Sequence, residues 1–163
     1  MDPTTLIPDN VSEVLAKIVQ FTESRQSVLY RNLCEMRADG FAPQDLPVYE
    51  FATALEAALA EHLRNQRLLF RDTENIKFGP SGMMTLTAVP DAEARALLAL
   101  DINEYLVHAV KKLKENALNR RVAENLLSLK RGSLRDSDLF HSRRVHARSE
   151  PRDDTSTSGN SAE

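Results

Sequence analysis

Residues 91–131 read DAEARALLALDINEYLVHAVKKLKENALNRRVAENLLSLKR. Leu97, Leu98, Ile102, Tyr105, Leu106, Ala109, Leu113, Ala117, Ala123 and Leu127 recur at steps of three and four, with Asn116 and Arg120 set into the same stripe. That period marks an amphipathic helix. The charges agree with it, since residues 91–104 hold four acids and one base whereas 111–131 hold seven bases and two acids. Acids near the start and bases near the end offset the helix macrodipole. Pro90-Asp91 opens the stretch, and Lys130-Arg131-Gly132 closes it with a cationic last turn and a glycine suited to the left-handed position after a helix. One continuous helix over 91–131 is expected, roughly 60 Å long, which is more than a domain of this size needs. Such a helix should reach beyond its own domain.

The rest of the chain is punctuated the same way. All seven prolines and all five glycines fall outside three windows, 9–39, 48–78 and 91–131. All-β and doubly wound folds need turns more often than this, so a few long helices are expected. In the first window Asn10 and Glu13 form a capping-box pair. Val11, Val14, Leu15, Ile18, Phe21, Val28, Leu29, Leu33 and Met36 then make a stripe that Arg25 and Asn32 interrupt. A helix over about 10–39 follows, stopped by Gly40. Pro43 and Pro47 make residues 40–47 a loop, and Phe51, Leu55, Ala58, Leu59 and Leu63 mark a second helix over about 48–66. Residues 67–90 form a variable middle, in which Met84, Leu86 and Ala88 alternate with polar neighbours after the Gly79-Pro80-Ser81-Gly82 turn and suggest a small β-hairpin. Residues 1–8 read as a flexible leader and 132–163 as a disordered tail rich in Ser, Arg, Asp and Thr. The domain itself is placed at 9–131. The fold class is mainly α: long N- and C-terminal amphipathic helices pairing as an antiparallel coiled-coil-like bundle, with a short second helix and the hairpin between them.

Composition narrows the function classes. The 163 residues carry a net charge of −3, which is not the signature of a nucleic-acid binder. No apolar run is long enough for a membrane span, and the first residues lack the basic and apolar regions of a cleavable signal. Cys34 is the only cysteine, so neither an internal disulfide nor a cysteine-rich metal site is expected. Catalytic patterns are scarce. The four histidines, His62, His108, His141 and His146, have no Glu three residues before them, as carboxylate di-metal bundles require. Glu104 and His108 share a helix face, but two ligands do not make a site. Gly79–Gly82 lacks the spacing of a P-loop or nucleophile elbow, and the basic cluster at 141–148 lacks interleaved aromatics. No enzyme, cofactor or metal is expected. The informative residues are the polar ones inside apolar stripes, Arg25, Asn32, Asn116 and Arg120. A polar group there is costly unless paired, and in helix pairs such residues fix register and partner choice.

These residues carry a resemblance. Arg25-Gln26-Ser27-Val28-Leu29, Asn32-Leu33 and Gly40-Phe41 resemble the N-terminal signature of bacterial flagellar basal-body rod proteins. Asn116-Ala117-Leu118, Arg120 and Leu126-Leu127-Ser128-Leu129-Lys130 are similar to the closing helix of that family. Asp45-Leu46 followed by an Ala-rich helix fits the proximal-rod (FlgB) type. The match is divergent: Tyr30, Arg31, Cys34 and Glu35 stand where the signature has Ala or Asn, and Asp101-Ile102-Asn103-Glu104 matches the acidic opening of the last helix about one turn early. The resemblance implies a structural subunit of the flagellar rod, required for flagellum assembly and motility. It implies self-association in a helical assembly, other rod and basal-body subunits as partners, and export by the flagellar type III apparatus without a cleaved signal to the periplasmic rod. Helix pairing would rest on Leu15, Ile18, Arg25, Val28, Leu29, Asn32 and Leu33 against Leu106, Leu113, Asn116, Arg120, Ala123 and Leu127. The alternative from the residues alone is a cytoplasmic helical adaptor or regulator that binds a partner through the same stripes.

Overall fold

A computed structural model describes the backbone of residues 10–80 and 82–147, and side chains up to residue 132. The expectations for residues 1–8 and 148–163 lie outside the described residues. The chain divides into two compact units, Met1–Ser128 and Leu129–Glu163.

The first unit is mainly helical. Helix α1 spans Asn10–Glu35 and buries Leu15, Phe21, Val28 and Leu29 together with the polar Lys17, Thr22 and Asn32. It ends four residues before the expected boundary. Ala38 N donates to Glu35 O and Phe41 N to Ala38 O, so a turn intervenes before Gly40 takes the left-handed φ of 73°. Strand β1, Gln44–Asp45, follows the turn. Helix α2, Val48–Asn65, begins after Pro47, whose carbonyl accepts from Phe51 N, and closes on a left-handed Gln66.

The expected hairpin is present. Strand β2 (Ile76–Phe78) pairs antiparallel with β3 (Met84–Leu86), Lys77 opposite Thr85. The inward residues Ile76 and Met84 join Phe21, Val28, Leu46 and Phe51 in one core cluster. Its centre is a parallel stack of Phe21 on Phe51 with ring centroids 4.0 Å apart, worth roughly 1 kcal/mol beyond the area it buries. A second pair of strands, β1 with β4 (Val89–Pro90), has no counterpart in the sequence pattern; Asp45 faces Val89 across it.

The expectation of one helix over 91–131 requires two corrections. The stretch is broken at Asp101 into α3, Ala92–Leu100, and α4, Ile102–Ala147. Asp101 is extended (φ −155°, ψ 123°). Its N–H closes α3 on Leu97 O, while its carboxylate accepts from Asn103 N and its carbonyl from Tyr105 N. One residue thus terminates one helix and caps the next. At the other end α4 runs through Gly132 to Ala147, so the helix does not stop at 131 and the segment 132–147 is helical. Glycine in a helix costs about 1 kcal/mol and does not forbid it, and the next proline is Pro151. No helix of the described residues is long and apolar enough to cross a membrane.

The terminal helices pack together and run antiparallel. Arg120 reaches Glu23, Asn116 reaches Thr22 and Tyr105 reaches Asn32, so numbers fall along α4 as they rise along α1. A second core cluster of Ala94, Tyr105 and Ala109 closes this junction against Leu33, Met36 and Phe41.

Candidate functional site

The junction of α1 and α4 holds a layer of polar side chains inside the apolar packing. Arg25, on α1, makes a two-pronged pair with Asp45 of β1, Nε to Oδ1 at 2.7 Å and Nη2 to Oδ2 at 2.8 Å. Lys112 reaches the same carboxylate from α4, Nζ to Oδ2 at 3.0 Å, and also Asp91 Oδ2 at 2.5 Å. Asp91 caps α3 by accepting from Ala94 N, and Asp45 accepts from Leu46 N. Four charges of balanced sign therefore tie α1, β1, α3 and α4 at one point. Their side chains are 7–18% exposed, so these pairs are poorly screened and their loss is costly.

The electrostatics follow from this crowding. Burial alone would raise the Asp45 carboxyl, but the hydrogen bonds and charges of Arg25 and Lys112 outweigh it and hold the group below the usual carboxylate range. Burial likewise pulls the Lys112 ammonium down, and Asp91 and Asp45 more than reverse that, so it sits above the ordinary lysine value. Both groups stay ionised across the neutral range. Tyr105 is raised by burial and by the Asp91 charge, which keeps its hydroxyl protonated.

Two asparagines extend the layer along the helices. Asn32 clamps the strand β1 backbone, Nδ2 donating to Gln44 O at 2.6 Å and Oδ1 accepting from Gln44 N at 3.2 Å. Asn116 Nδ2 donates to Thr22 O at 2.8 Å; that carbonyl belongs to a turn where the Thr22 hydroxyl also bonds Ile18 O. Asn116 Oδ1 is buried without a partner. Arg120 bonds Glu124 at 2.8 Å and pairs with Glu23 at 3.2 Å. With side chains 37–51% exposed, these outer pairs are screened by solvent and add little to stability.

Of the residues expected to pair the helices, Leu15, Val28, Leu29, Asn32, Asn116 and Ala123 are buried, and Ile18, Arg25, Leu33, Leu106, Leu113, Arg120 and Leu127 are half-buried. They do not form one seam. Val28 is part of the core shared with α2 and the hairpin, and Ile18 packs against that core, whereas Leu33 packs on the Tyr105 cluster. The reason is geometric: α1 has neighbours on several sides, so its stripe divides among them.

Sequence reasoning missed Lys112, Asp45 and Asp91 as a set. Lys112 lies four residues before Asn116 and eight before Arg120, a polar line on one face of α4, and that spacing was the available signal. Lys17 was also missed. It is buried, donates to Gly82 O, and lies 5.8 and 5.9 Å from the ring centres of Phe70 and Phe78. Burial lowers its ammonium, opposed in part by Glu13.

The remaining candidates lie elsewhere. His108 Nδ1 is 3.8 Å from Glu93, not paired with Glu104, and its Nε2 is buried without a partner. His62 Nδ1 faces Asn10 Nδ2 at 3.2 Å, and Cys34 is exposed on α1. The side chains of the 141–148 cluster are outside the described residues. Among the described residues no three His, Cys, Asp or Glu side chains converge as a metal site would need. What the polar layer can do is hold register: it links each long helix to the loops at fixed positions, and every charge in it is matched by an opposite one.

Beside this layer an apolar groove of about 470 Å³ opens between α1, α2 and α4, with Leu15, Leu55, Val48 and Leu126 among its walls and Asn116 at its lining. Comparison with family models, with curated proteins and with solved structures finds no match to this chain.

Proposed function

We propose that this chain is a structural subunit of the bacterial flagellar basal-body rod, of the proximal-rod type. One observation supports the reading most strongly. Arg25, Asn32 and Asn116, through which the sequence resembles rod proteins, are among the residues that make polar contacts from the terminal helices inside the packed unit. In such a subunit the two terminal helices form one stiff element, and their register must be the same in every copy. The Asp45 carboxylate held by both Arg25 of α1 and Lys112 of α4, and the Asn116 bond to the Thr22 carbonyl, suit that need, because none of them tolerates a shift of one residue.

The outer surface fits the same role. Val107, Val110, Leu118, Val122 and Leu126 are each at least 41% exposed on α4, and an apolar face of this extent belongs against a neighbour. In this reading the subunit leaves the cell through the flagellar export apparatus, joins other rod and basal-body subunits and its own copies, and carries no cofactor. The test is a deletion of the coding sequence in the source bacterium, followed by complementation. Loss of swimming that the full chain restores supports the rod reading; normal swimming of the deletion strain overturns it. A cytoplasmic adaptor would instead leave the basal body intact.

A further inference from the structure

We propose that the groove between α2 and α4 receives the outer face of α4 from a second copy of this chain. The inference rests on the assembly reading above and adds to it the two surfaces that meet.

The groove is the acceptor. Its mouth is apolar, with Val48 on α2 42% exposed and Leu118 and Val122 on α4 61% and 50% exposed. One free carboxylate stands beside it on α2: Glu56, outside the lining itself, lies one turn beyond the lining residue Ala52, is exposed, and has no partner among the described residues. An occupant with apolar side chains flanked by a positive charge would match both features.

The chain carries that combination itself. Val107 (68% exposed), Val110 (41% exposed) and Lys114 follow one another at three- and four-residue steps on α4. Lys114 is exposed and has no partner among the described residues. The two valines match the apolar mouth and the ammonium matches the Glu56 carboxylate.

The two surfaces do not coincide. Lys114 and Leu118 are one turn apart on the same side of α4, but the stripe Val107–Val110–Lys114 and the wall Leu118–Val122–Leu126 are centred about 12 residues, roughly 18 Å, apart along its axis. One copy can thus fill a neighbour's groove while its own groove stays open for a third. This contact is heterologous and does not close on itself, so it extends into a helical array. Charge complementarity at the rim selects the register.

The test is charge reversal with complementation on the full chain, read by light scattering and sedimentation over rising concentration. The unaltered chain should associate. Lys114→Glu and Glu56→Lys should each weaken association by about tenfold or more, with circular dichroism unchanged because both residues are exposed. Mixing the two variants should restore assembly, since each then presents a stripe that fits the other's groove, and so should both changes in one chain. The proposal is overturned if the unaltered chain stays monomeric, if either single variant assembles normally, or if the mixture does not recover. Presence of the chain in purified basal bodies is read separately, so the rod reading can stand where these surfaces fail.

Discussion

Asp45 accepts from Arg25, Lys112 and the Leu46 N–H at once. Replacing it with Asn leaves two cations nearly buried and short of a counter-charge, so Asp45→Asn should lower the unfolding free energy by about 3 kcal/mol in urea titrations at neutral pH. The pH dependence follows from the direction of the shifts. Asp45 is depressed in the folded state, so its contribution is complete above the ordinary carboxylate range and is lost as pH falls through its folded value. Lys112 is raised, so its contribution persists below the ordinary lysine range and is lost only as pH rises through its folded value. The protein should therefore weaken below about pH 4, and urea titrations of Asp45→Asn at the same acid pH should lack that part of the loss. Arg25, Asn32, Asn116 and Arg120 were readable as polar breaks in apolar stripes. Lys112 was not, because a lysine at the edge of a stripe reads as solvated, and its partner Asp45 lies 67 residues away.

Among the elements, the long helices were legible because their apolar spacing is sustained over many turns, and the β2–β3 hairpin because Met84 and Leu86 alternate after a glycine turn. The β1–β4 pair was not, since each strand has two residues, one of them Pro90, and the pairing is long-range. The break at Asp101 left the stripe in phase, so periodicity alone did not show it. Its signal was Asp101 followed three residues later by Glu104, the spacing of a helix start. Gly132 follows a cationic turn as a helix stop would, yet α4 continues through it with open space where a Cβ would sit. Gly132→Ala should therefore raise helix content and stabilise α4 by about 0.5–1 kcal/mol, measured by circular dichroism during thermal unfolding. A helix that ended at residue 131 would instead lose stability on that change.

At the scale of the molecule, the same helices that make the core also expose apolar side chains, and the two sets separate by face. Leu113 is half-buried on the inner stripe of α4. Leu113→Asp should cost about 3 kcal/mol by bringing an unpaired charge into the packing, and in the rod reading it should abolish swimming; a fully motile Leu113→Asp strain would argue against that role. The most direct measurement of the central claim is the protein composition of basal bodies purified from a flagellated cell that expresses the chain, determined by mass spectrometry. The rod reading predicts this chain among the constant components, with basal bodies from the deletion strain lacking an assembled rod. Complete basal bodies that never contain the chain would contradict it.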